Sequence, residues 1–139
     1  TLISAIIFLG GCSDSTNIDP LPEIRVDKEI NLNNIEAQPL KQDGGHITIQ
    51  GGSRGIIVYH HSGNDYRAFE RHSPFRSQET CALVSVHGSG LYMVEGCSQS
   101  QYNFRGEPTS GPAQRPLRQY NTHLGNNRRF LHITYQPGQ

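Results

Sequence analysis

Residues 66–120 read YRAFERHSPFRSQETCALVSVHGSGLYMVEGCSQSQYNFRGEPTSGPAQRPLRQY, and the fold hangs on how this stretch is divided. It holds two polar loops with one cysteine each, Cys81 and Cys97, separated by short apolar runs. Ala82 to Val86 and Leu91 to Val94 flank the turn His87-Gly88-Ser89-Gly90, which predicts a β-hairpin with the cysteines at its outer ends. The second loop runs into Gly106, Gly111-Pro112, Pro116-Leu117 and Tyr120, a succession of turn signals with no helical period.

Working outward, residues 29–36 (EINLNNIE) alternate with Ile30 and Leu32 on one face and predict an opening strand. His46 to Gln50 alternates as well. Gly51-Gly52 then allows a turn before the run Gly55 to His60, whose unbroken apolar character suits a strand buried on both faces. Ser62-Gly63-Asn64-Asp65 predicts a hairpin turn into Tyr66 to Glu70. Near the end, Arg115 to Asn121 and Arg129 to Tyr135 predict a closing pair, with Leu131, Ile133 and Tyr135 on one face and Phe130 and His132 on the other. Fifteen glycines, eight prolines and no tryptophan in 139 residues, with no helical stripe or internal repeat, point to one small all-β domain.

The order of these pieces resembles a Rieske ferredoxin-type [2Fe-2S] domain over roughly residues 29–135. The shared features are a Gly-Gly step, the Arg-Gly-Ile-Ile-Val-Tyr strand, a polar turn, the Ala-Phe-Glu-Arg strand and two loops, followed by Gly111-Pro112 where the family has its proline loop. The resemblance implies an antiparallel β-sandwich with two loops in the former cluster-binding subdomain. In the family the first loop carries Cys-x-His and the second Cys-Pro-Cys-His. Here Ser73-Pro74-Phe75 and Glu95-Gly96-Cys97-Ser98 fall on those motifs, so Ser73, Phe75, Glu95 and Ser98 stand at the former ligand positions. A shifted register makes Cys97 a ligand and Ser100 the histidine position, and still supplies one ligand of four. The family's cluster needs two thiolates and two imidazoles, so no cofactor is expected. The resemblance further places Cys97 where respiratory members bridge to the first loop, with Cys81 as partner. Free thiols at both positions are the alternative.

Residues 2–9 form an apolar run too short to span a bilayer, ending in Leu9-Gly10-Gly11-Cys12. This is the lipobox pattern of bacterial lipoproteins. It predicts a signal peptide over 1–11 whose start lies upstream of Thr1, a lipidated tether over 12–28 beginning at Cys12, and a Rieske-like domain over 29–139. A buried strand followed by a free cysteine is the other reading. Lipidation at Cys12 would leave two cysteines to pair in an oxidising compartment. The expected location is the bacterial cell envelope, anchored through the lipid, with the outer membrane favoured by Ser13-Asp14.

Twelve basic and twelve acidic residues give no net charge and no argument for nucleic acid as a partner. Residues 1–43 carry seven acids and three bases, the remainder five acids and nine bases, so the globular part is mildly cationic. No Ser-His-Asp or Cys-His arrangement is evident, Gly88-Ser89-Gly90 reads as a turn, and no phosphate loop is present. Of seven histidines, His72 lies beside a former ligand position, and His72, Ser73 and Glu95 could converge on a single zinc or similar ion. The expected function is a non-enzymatic binding or structural module with an envelope protein as partner. Electron transfer through a [2Fe-2S] cluster and mononuclear metal binding are the alternatives.

Overall fold

A computed structural model describes residues 20–138. Among these residues ten strands build two antiparallel sheets, an all-β fold. They are β1 (Val26–Asn31), β2 (His46–Ile49), β3 (Ile56–Ser62), β4 (Asp65–Glu70), β5 (Val84–Val86), β6 (Met93–Glu95), β7 (Gln101–Tyr102), β8 (Pro108–Ser110), β9 (Gln119–Leu124) and β10 (Phe130–Tyr135). The larger sheet runs β1-β10-β9-β4-β3-β2, and the smaller runs β5-β6-β7-β8. Among the described residues no helix is long and apolar enough to cross a membrane.

The central hairpin β3–β4 organises both cores because its two faces are covered. Ile56 and Val58 of β3 and Ala68 of β4 pack with Val26, Leu40, Leu131 and Ile133. Ile57 and Phe69, one step along each strand and so on the opposite face, pack with Val84, Met93, Tyr102 and Leu117 of the smaller unit. This is why residues 56–59 are apolar without alternation and residues 56–60 are buried throughout. The register Ile57 to Phe69 and Val58 to Ala68 carries this pairing to the Ser62–Asp65 turn, where the ladder shifts at His61. His60 is buried and stacks on Tyr66, whereas His61 is exposed.

Strand bounds shift, with β9 at Gln119–Leu124 where Arg115 to Asn121 is expected and β6 at Met93–Glu95 where Leu91 to Val94 is expected, and two larger expectations change. The opening strand spans Val26–Asn31 rather than 29–36, and packing reaches back to Leu21, which is buried. Arg118 donates to the Pro22 carbonyl at 2.6 Å, and Tyr135 donates to Glu23 at 2.8 Å, so the segment expected as a tether over 12–28 is bound to the domain from Leu21 onward. Second, a 3-10 helix occupies Ile35–Lys41 where no helix is expected. Its residues Ala37 and Leu40 lie three apart, the period of that helix, and both are buried under the larger sheet. The turn starts with Ala37 N–H donating to the Asn34 carbonyl at 3.1 Å. Cys12 lies outside the described residues.

Candidate functional site

The two loops project from one end of the smaller sheet. The first leaves β4 and returns to β5, closed at its neck by a bridge between His72 and Leu83 and by Ser73 N–H donating to the Ala82 carbonyl at 2.9 Å. The second connects β6 to β7, with Glu95 N–H donating to the Ser100 carbonyl at 2.9 Å. A disulfide joins Cys81 to Cys97 across them, with a Cα separation of 5.0 Å. Both cysteines lie just outside the register-matched pair Val84 and Glu95, and the paired strands hold them at bridging distance.

Ser73 and Glu95 are fully buried, and Phe75 and Ser98 are half-buried. Their polar groups turn inward. One Glu95 oxygen accepts from Cys97 N–H at 2.5 Å, and the other from Ser98 N–H at 3.0 Å and Ser98 Oγ at 2.5 Å. Ser98 Oγ lies 2.7 Å from Ser100 Oγ, which in turn accepts from Ala113 N–H at 3.1 Å. This chain ties the carboxylate to the Gly111-Pro112-Ala113 segment. The approach is close: a Cβ at Gly111, whose φ is +88°, would lie 2.7 Å from Ser100 Cα. Only glycine meets both demands.

In the first loop Ser73 Oγ accepts from Phe75 N–H at 3.1 Å, and the Phe75 ring packs against the core that holds Tyr102 and Met93. The Tyr102 hydroxyl lies beside Ser73, is fully buried, and has no partner of ordinary hydrogen-bond geometry among the described residues. Burial pushes its pKa up. Above these groups, Pro74, Phe75, Arg76, Pro112, Gln114 and Arg115 line an open depression of about 300 Å³. The Arg76 guanidinium sits 5.5 Å over the Phe75 ring.

The ring nitrogens of His72, expected beside this site, are both engaged elsewhere. Its Nδ1 lies 2.7 Å from Ser53 Oγ and its Nε2 lies 2.6 Å from the Ser77 carbonyl. The convergence of His72, Ser73 and Glu95 on one ion is therefore not formed, and among the described residues no three His, Cys, Asp or Glu side chains are grouped to hold a metal. The partner of His72 is one that sequence reasoning misses. Ser53 lies in the Gly51-Gly52-Ser53-Arg54-Gly55 turn, nineteen residues before it, and no local pattern links the two.

Beneath both lies Glu70, fully buried at the end of β4. Its Oε1 accepts from Ser53 N–H at 2.5 Å and Tyr120 Oη at 2.8 Å, and its Oε2 from Arg54 N–H at 3.1 Å and His72 N–H at 2.7 Å. Four donors satisfy a charge that burial alone would make costly. The same carboxylate, with burial as the larger cause, pushes the Tyr120 pKa far up.

No protein-family model and no curated protein matches the chain.

Proposed function

We propose that this chain is a Rieske-like domain without a cluster, anchored in the cell envelope by lipid at Cys12, whose loop tips serve as a rigid platform for an envelope protein. The observation that carries the reading is the closed donor network of the second loop: both Glu95 oxygens are taken by Cys97 and Ser98 of the same loop. A ligand loop presents its donors outward to the metal, whereas this one folds them in. Ser73 and Phe75 offer neither thiolate nor imidazole, and Cys97 in its disulfide has no thiolate to give in the shifted register. The residues present do not fit a [2Fe-2S] cluster.

With the ligands gone, the disulfide and the Ser100 link to Ala113 still hold the three loop segments in one arrangement. A preformed surface loses less entropy on binding than a mobile one. The depression between Phe75 and Pro112, flanked by Arg76 and Arg115, is the contact surface of this reading.

The test is a visible absorption spectrum with iron and zinc analysis on protein made in cells able to assemble iron-sulfur clusters. Colourless, metal-free, folded protein is expected. Brown protein with two irons per chain would show that it is an electron carrier with an unrecognised ligand set.

A further inference from the structure

The Ser53 and His72 pair has a chemistry of its own, independent of the loop-tip reading. A carbonyl oxygen can only accept, so at the 2.6 Å contact with Ser77 O the His72 Nε2 carries the ring proton. In the neutral ring Nδ1 then bears a lone pair. The Ser53 hydroxyl, 2.7 Å away, donates to it. A hydroxyl aimed at a bare imidazole nitrogen, with the other nitrogen oriented by a third group, is the arrangement that activates a serine.

Both partners are held firmly. His72 is buried, and its own N–H is fixed by Glu70 at 2.7 Å. Ser53 is held by its N–H to Glu70 at 2.5 Å and by the turn bond from Gly55 N–H to the Gly51 carbonyl at 2.9 Å. Ser53 also lines an open cavity of about 320 Å³ formed by residues 48–55 and Arg71, space of a size that a small molecule can enter. The N–H groups of Ser53 and Arg54 are committed to Glu70. Two arginines line the cavity: the Arg54 guanidinium donates to the Glu79 carbonyl at 2.7 Å and the Ser77 carbonyl at 3.4 Å, and Arg71 donates through Nε to the Val84 carbonyl at 3.0 Å.

We propose that Ser53 is a nucleophile towards small carboxylic esters, with His72 as its general base, the Ser77 carbonyl as the positioning group and Arg71 facing the developing oxyanion. Ser53 Oγ bonds to the ester carbon as its proton passes to His72 Nδ1. The tetrahedral adduct collapses with cleavage of the bond to the alkoxy oxygen, which takes the proton from Nδ1 and leaves as alcohol. Water, deprotonated by Nδ1, then attacks the acyl-Ser53 ester, releasing the carboxylic acid and restoring the hydroxyl.

The test treats the folded chain with a fluorophosphonate probe and, separately, with p-nitrophenyl acetate. The expected results are a single adduct mapped to Ser53 by peptide mass spectrometry, no adduct and no ester turnover in Ser53→Ala, and labelling at least about 100-fold slower in His72→Gln. Circular dichroism checks that each variant is folded. Should His72→Gln fail to fold, the site of labelling and the Ser53→Ala result still decide. No adduct, an adduct scattered over other serines, or ester turnover undiminished in Ser53→Ala would overturn the proposal.

Discussion

The Tyr120 hydroxyl on β9 donates to Glu70 Oε1 on the adjacent β4 at 2.8 Å, with both residues buried. This bond joins the closing strand to the carboxylate that also holds the Gly51–Gly55 turn and the start of the first loop. Tyr120→Phe removes one charge-assisted bond and leaves Glu70 its three backbone donors, so the expected loss is about 1.5–3 kcal/mol by urea unfolding. Glu70→Ala leaves three backbone N–H groups and a phenol without an acceptor in the interior, and is expected to cost more than Tyr120→Phe, about 3–5 kcal/mol. Equal losses in the two variants would mean that the backbone donors find water.

Gly52 adjoins the same carboxylate. At its φ of +58°, an added Cβ would sit 2.2 Å from Glu70 Oε1 and 2.5 Å from the Tyr120 hydroxyl. Gly52→Ala combines backbone strain with displacement of that bond, and a loss of about 2–4 kcal/mol is expected in the same unfolding assay.

The disulfide closes a segment with a sequence separation of 16. In the chain-entropy picture its removal costs about 3 kcal/mol. Cys81→Ser is expected to lower the thermal midpoint and leave the visible spectrum unchanged; loss of colour on this substitution would reverse the cluster-free reading.

Burial raises the pKa of Tyr66, Tyr102 and Tyr120 above their ordinary 10.0. A group whose pKa is higher folded than unfolded contributes stability that is full below its unfolded pKa and falls as pH rises past it. Stability should therefore decline above about pH 10. A spectrophotometric titration should show Tyr66, Tyr102 and Tyr120 ionising above the ordinary range, in step with unfolding.

Introducing the ligand types of Rieske domains is a direct test of the alignment on which the loop-tip proposal stands. The quadruple variant Ser73→Cys, Phe75→His, Glu95→Cys and Ser98→His is expected to take up iron and colour in cells that build clusters, where the parent chain does not. A folded, colourless quadruple variant would count against that register.

The larger sheet was legible where composition and burial agree. The unbroken apolar run at 56–60 announces a strand covered twice, and the alternation of 130–135 gives Leu131 and Ile133 to the core. The 3-10 helix was not legible, because the alternation of Ile30 and Leu32 masks that Ile35 falls out of phase with them and is exposed, while Ala37 and Leu40 declare a period of three only once both are known to be buried. Cys81 and Cys97 could be paired through the hairpin between them. Ser53 and His72 could not, because the sheet rather than the local sequence brings them together, and neither residue type is distinctive alone.

The burial of Leu21 sets a length. If lipid is attached at Cys12 as proposed, eight residues, or nine Cα-to-Cα steps, separate the anchor from Leu21, the first buried side chain among the described residues. At no more than about 3.5 Å per residue, that leash reaches roughly 30 Å when taut. The point where the chain joins the domain then stays within a distance of the membrane about equal to the depth of a bilayer's own hydrocarbon core, so the reach of the protein is this distance plus the width of the folded domain.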